Sequence, residues 1–245
     1  MGFSLDWSVF LQELPEGGVY YWQMILSGLW WTLGVAACAW LIAMFFGSVI
    51  GTIRTTDIRA LVIFGHCWVE LFRNIPLLVQ MFLWYFVLPE VIPPLKRWVV
   101  AADPAQAQFL SATLCLGLFT SARIAEQVRA GIQSLPRGQR YAAQALGLTA
   151  PQMYRHVLLP MAYRIIIPPL TSETMNLIKN TSIALTIGLA ELTFRTREMG
   201  EYTFRFFEAF TAATLIYIAL AMTANRVMAL IERRTAVPGF IAGGK

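Results

Sequence analysis

Apolar residues run along this chain in long blocks, and the polar positions collect between them. Between Glu16 and Arg54 no side chain is charged. A membrane span takes about 20 apolar residues, so residues 20–53 predict one long or tilted helix. Gly28, Gly34, Gly47 and Gly51 lie along it and let neighbouring helices come close. A second block, residues 60–89, is interrupted by Glu70, Arg73 and Pro76. Glu70 and Arg73 are spaced to pair along one helix face, and the prolines from Pro89 onward are expected to break the helix. Further blocks predict spans at 106–132, 165–192 and 207–233. No internal repeat interrupts the series. The pattern predicts an all-α integral membrane protein with about five transmembrane helices, residues 1–245 forming a single domain.

The polar stretch 137–163 has a different period. Pro136 and Gly138 open it, and "QRYAAQAL" is rich in strong helix formers. Gly147 suits the position after a helix end where φ is positive. Thr149 and Gln152 have capping-box spacing, with Pro151 in the first turn. A second helix is expected to run through "QMYRHVLL" and stop at Pro160. Such a helix–glycine–helix unit is small enough to dock into a groove on a partner.

Composition agrees with the membrane assignment. The chain is 57% hydrophobic and 13% charged, against about 25% charged residues in soluble domains. Its net charge of +5 does not point to nucleic acid, because the bases cluster in short loops. The richer basic loops follow the first and third spans and the C-terminus. The positive-inside rule therefore puts the N-terminus outside and the C-terminus, with Lys245, in the cytoplasm. The N-terminal segment carries Asp6, Glu13 and Glu16 but no basic n-region, so it is expected to be mature protein rather than a signal peptide. Cys38, Cys67 and Cys115 have no paired spacing and read as small buried hydrophobes. No metal site is expected.

Span four is unusually polar, with Thr171, Ser172, Glu173, Thr174, Asn176, Lys179, Asn180, Thr181 and Ser182. A charge facing lipid costs at least about 2.5 kcal/mol, so these groups face protein or a water-filled path. The threonines suit helix–helix contacts, while Lys179 and Asn180 suit a path lining. Arg123 in span three shares its helix with Glu126 and Arg129 at three-residue intervals. That series reads either as a local ion-pair ladder or as a place where Arg123 offers a bidentate fork to a carboxylate.

Several blocks carry a family resemblance. Ala142-Ala143, three residues, Gly147, nine residues, then Val157-x-Leu159-Pro160 resembles the EAA loop of ABC importer permeases. "ELFRNIPLLVQMF", "SARIAEQVRAGIQSLPRGQ" and "LTSETMNLIKNTSIA" are similar to blocks of the polar amino acid permeases, with the glutamate/aspartate importers the nearest pattern. The resemblance implies the type I ABC importer transmembrane-domain fold, in a bacterial inner membrane. It implies a coupling helix that seats in a cytoplasmic ATPase through Tyr141, Ala142, Ala143, Gly147, Leu159 and Pro160. It also implies a substrate-lining role for Arg123, Glu126, Lys179, Asn180 and Ser182. The expected partners are a second homologous permease, two copies of an ABC ATPase, a periplasmic amino-acid-binding protein and membrane lipid. No cofactor is expected in this chain. It has no G-x-x-x-x-G-K-[ST] loop, so ATP and Mg would be held by the ATPase. One position departs from the family. The loop's first residue, usually Glu, is Tyr141, so either a partner permease carries the Glu or Tyr141 packs.

Two other functions compete. An ion-coupled secondary transporter would show inverted repeats, which are not visible. A membrane enzyme would need a nucleophile–base set or a metal motif, and none is present. Within the importer reading, a different polar amino acid remains an alternative cargo.

Overall fold

Thirty-three consecutive residues, Tyr21–Ile53, form one unbroken helix, α1, as expected for a segment without a charge or a proline. The computed structural model describes residues 5–15 and 17–235. Glu16 and Lys245, which entered the orientation argument, lie outside the described residues. After α1 come α2 (Arg59–Asn74), α3 (Leu77–Val91) and α4 (Pro93–Ala101). They are followed by α5 (Pro104–Gln133), α6 (Arg137–Ala145) and a continuous helix over 150–180, α7. A 3-10 segment Thr181–Ile187, then α8 (Leu192–Thr203) and α9 (Phe206–Thr235), complete the chain. Among the described residues there is no β-strand, only an isolated bridge between Glu13 and Tyr20.

Three of these helices, α1, α5 and α9, are long and apolar enough to cross a membrane. The pair α2 and α3 meets the same test together, across a break at Ile75–Pro76. Ile75 is extended, as expected for a residue before proline, so residues 60–89 are not one uninterrupted helix.

Pro160, expected to end a helix, lies inside one; Pro89 also lies inside its helix, and the break expected from that stretch falls three residues on, at Ile92. Pro160 follows a π turn, Tyr154–Leu158, and Pro89 follows another, Leu83–Val87, at the same spacing. In each turn the closing N–H belongs to the residue just before the proline: Leu159 donates to Tyr154 O, and Leu88 to Leu83 O. A proline ring clashes with the carbonyl four residues back. The wider i→i+5 turn relieves that clash. The second helix of the polar stretch therefore continues through Pro160, Pro168 and Pro169 to Asn180.

The chain divides into two units, and each long helix is shared between them. The first comprises Met1–Ala39, Pro76–Leu116 and Asn176–Met222. Its core gathers Tyr21, Met24 and Ile25 of α1 with Leu192, Met199, Ala209 and Ala213. Glu191 caps α8 there, accepting N–H bonds from Thr193 at 2.9 Å and Phe194 at 2.8 Å. The second unit comprises Trp40–Ile75, Gly117–Met175 and Thr223–Lys245. Its core joins Ile124, Val128 and Ile132 of α5 to Ala143, Met153, Leu158 and Ile166. Gly51 permits this packing, because a Cβ there would come within 2.7 Å of Ala125 O and of Val128.

Candidate functional site

The helical hairpin over 137–163, in the second unit, closes as its local chemistry predicts. After α6, Gly147 takes φ +76°. Its N–H reaches Gln144 O at 2.9 Å, and Leu148 N–H reaches Ala143 O at 3.1 Å. This is a Schellman ending, which needs a left-handed residue where glycine carries no steric cost. Gln152 Oε1 accepts the Thr149 N–H at 2.9 Å in the expected capping box. Ala143 is buried with Leu148, Met153 and Leu158 against the unit's core. Tyr154 O–H donates to Thr55 O at 2.7 Å and ties the hairpin to the residues just after α1.

The hairpin's other face is open. Tyr141 is 63% exposed and Leu146 80%; Ala142, Gly147 and Pro160 are also exposed, while Leu159 is partly buried. Two large apolar side chains at a capped tip form a surface that a partner groove could cover.

A carboxylate cluster lies on α5. Glu126 Oε1 accepts from Arg54 at 2.9 Å and is 3.7 Å from Arg73, while Arg129 Nε lies 3.3 Å from Oε2. The Arg54 side chain is only 3% exposed, so its charge depends on this carboxylate. Glu126 is therefore committed to three guanidiniums. Glu70, which the spacing would pair with Arg73, instead accepts from Asn74 at 2.6 Å.

Arg123 takes a separate partner. Its Nη1 lies 3.5 Å from Glu173 Oε2, and Gln127 Nε2 donates to Glu173 Oε1 at 3.3 Å. The guanidinium also sits 5.5 Å from the centre of the Phe119 ring. Arg123 is 43% exposed at the side chain and Glu173 only 12%. The 3.5 Å contact is long for a charge-assisted bond, so this pair is loosely closed and its cation faces outward. Local spacing pointed to Glu126, but Glu173, fifty residues on, is the group that meets Arg123.

Lys179, Asn180 and Ser182 belong to the first unit, where α7 tightens into the 3-10 segment. Lys179 is exposed and Asn180 half-buried. Ser182 O–H donates to Lys179 O at 2.8 Å, which leaves its lone pairs available. Thr171, Thr174 and Thr181 likewise bond carbonyls of their own turns. Among the described residues, no group of three His, Cys, Asp or Glu side chains could hold a metal.

The chain can be set beside known proteins. Residues 46–237 match the model of a family described as "Binding-protein-dependent transport system inner membrane component". The glutamate/aspartate import permease protein GltJ of Escherichia coli K12 is 49% identical over 245 residues, covering 99% of this chain and all of that one. The glutamate/aspartate import permease protein GltK of E. coli O6:H1 is 30% identical over 236 residues, covering 96% of this chain and all of its own. A solved amino acid ABC transporter, crystallised with histidines, superposes with a TM-score of 0.74 at 28% identity. That match covers 95% of this chain and 100% of the solved one.

Proposed function

Because this chain belongs to the family of inner membrane components of binding-protein-dependent transport systems, we propose that it is a permease subunit of an ATP-driven amino acid importer whose cargo is glutamate and aspartate. End-to-end similarity to a glutamate/aspartate permease is the observation that carries this reading. In it the chain has no chemistry of its own. A second homologous permease completes the path, two copies of an ABC ATPase bind and hydrolyse Mg-ATP, and a periplasmic receptor delivers the amino acid.

The open face of the 137–163 hairpin is the docking surface for the ATPase. Tyr141, Ala142, Gly147 and Pro160 are each exposed, while Ala143 and Leu159 anchor the hairpin to the unit's core. A rigid, capped hairpin transmits a push that a slack loop would absorb. The absent acidic residue at Tyr141 would be supplied by the partner permease.

Arg123 is the group that meets a carboxylate of the cargo. Its partner Glu173 holds the guanidinium between transport events and releases it when the substrate anion arrives. Lys179, Asn180 and Ser182 supply further donors and acceptors to the path. Glu126 acts as counter-ion to Arg54 and Arg129, rather than by touching substrate. A planar fork suits a carboxylate better than a point charge does.

The five spans and the orientation, N-terminus periplasmic and C-terminus cytoplasmic, belong to the same proposal. Cysteine labelling from outside should reach a residue placed at Glu198 or Glu16 and should miss one at Gly138. Labelling of Gly138 from outside would overturn the docking role. Function itself is tested by co-purifying the chain with its ATPase and receptor and measuring labelled glutamate uptake into vesicles. Uptake that needs ATP and receptor is expected. Uptake driven by an ion gradient alone would instead establish a secondary transporter.

A further inference from the structure

The residues just after α1, the end of α5 and the start of α6 enclose a cavity of about 660 Å³ within the second unit. Arg54, Arg137 and Arg140 line it together with Thr55, Thr56 and Gln133. Ile132, Leu135, Leu158 and Val62 supply its apolar wall. None of its lining residues is acidic. The facing carboxylates are Glu126, which holds Arg54 from behind, and Asp57, which lines the adjoining groove beside Arg140.

Arg54 is the unusual member. Only its Nη2 is engaged, by Glu126 at 2.9 Å and by His66 Nδ1 at 3.2 Å. Its Nε and Nη1 are buried and have no hydrogen-bond partner. Buried donors are nearly always paired, because an unmade bond there costs free energy. Gly65 clamps the stem of this side chain, since a Cβ at that position would stand 2.4 Å from Arg54 Cγ. The guanidinium is thus fixed in place as a buried charge, with those two donors shielded from the cavity. Arg140 is held by Tyr154 O–H at 3.4 Å and Thr55 O at 3.5 Å, and Arg137 is exposed at the rim.

Two planar forks, Arg137 and Arg140, border a polar hollow with the buried charge of Arg54 behind them, a setting that suits a tetrahedral oxyanion. The setting selects its source. The hollow lies at the polar end of a 33-residue apolar helix. Val62 in its wall belongs to α2, on which Leu61, Ile63 and Phe64 are exposed. An amphiphile can place a phosphate beside the arginines and lay its acyl chains along the exposed apolar side chains of α2, Leu61 and Phe64 sharing one side of that helix. Basic pockets at membrane boundaries bind anionic headgroups in this way. We propose that this cavity is a binding site for the phosphate of an anionic phospholipid, with Arg137 and Arg140 as the receiving cations and Arg54 as a fixed charge behind them. The site braces the junction between α1 and the 137–163 hairpin, and its occupancy stiffens that junction.

The test uses the full chain, co-purified with its partners in a neutral detergent. Native mass spectrometry records retention of phosphatidylglycerol against phosphatidylcholine with the same acyl chains. The wild-type protein is expected to retain the anionic lipid preferentially. Arg137→Gln, at an exposed position that does not threaten folding, should weaken that preference about five-fold, the factor expected for one cation near an anionic headgroup. The paired change Arg233→Gln/Arg234→Gln, in the last turn of α9, should leave it within about two-fold, because generic attraction alone would fall by more. Equal losses in the two variants, or no preference in the wild type, would overturn the assignment. So would displacement of phosphatidylglycerol by millimolar inorganic phosphate, which would make the ligand a soluble anion. The readout does not involve transport, so its failure is distinct from failure of the importer reading.

Discussion

Glu191 and Glu126 are both carboxylates drawn into a helical interior, one in each unit, and opposite kinds of partner hold them. Glu191 is fully buried and is met by neutral donors. These are two N–H groups of its own helix, the Tyr217 hydroxyl at 3.0 Å and the Thr32 hydroxyl at 3.5 Å. Glu126 is met by three guanidiniums. A neutral cage fixes a helix end and asks only for an acceptor. A cationic cage asks for a charge. It also leaves positive charge over, and in this chain the surplus lies in the unit that carries the exposed hairpin.

Substitution by the isosteric amide separates the two cases. Glu126→Gln leaves Arg54 buried without a counter-charge and should cost about 3–5 kcal/mol, read as a large fall in melting temperature and in yield of the purified complex. A change below about 1 kcal/mol would mean that Glu126 behaves as a solvated surface pair. Gly147→Val comes next. A β-branched residue at positive φ is strained by about 1–2 kcal/mol. Nothing lies within 4 Å of the added Cβ, so the strain is conformational. Membrane insertion should survive, while receptor-stimulated ATP hydrolysis and ATPase co-purification should fall together. Undiminished stimulation would remove the hairpin from the coupling path. Glu191→Gln is the smallest of the three. The amide keeps one acceptor for the cap, so the expected loss is about 1 kcal/mol. A loss as large as that of Glu126→Gln would erase the contrast between the cages.

What the chain discloses in advance follows how local each interaction is. The apolar blocks and the Gly147 turn were legible because each signal lies within a few residues of its effect. Pro160 misled for a related reason, while the break expected from Pro89 onward is present at Ile92. Local rules end a helix at proline, whereas a π turn one residue earlier lets it continue. Of the three arginines around Glu126, Arg129 was legible from its three-residue spacing, but Arg54 and Arg73 were not, because they arrive from the end of α1 and from α2, more than fifty residues away. Arg123 was singled out from its apolar surroundings, and the need for a partner was sound. Its identity, Glu173, is a long-range fact that helix spacing could not supply.

The central claim is that cargo handling and energy coupling use different residues. In the proposed function Arg123 serves the first and the hairpin serves the second. The most direct measurement records glutamate uptake and receptor-stimulated ATP hydrolysis in the same vesicles for Arg123→Leu and Arg123→Lys. Losing one partner of a desolvated charge pair costs about 2–5 kcal/mol. Arg123 is partly exposed, so the lower end applies, and uptake by Arg123→Leu should fall at least about ten-fold. Arg123→Lys should recover part of it, and hydrolysis should persist in both. Unchanged uptake in Arg123→Leu, or joint collapse of both activities with loss of assembly, would contradict the claim and leave Arg123 a structural residue.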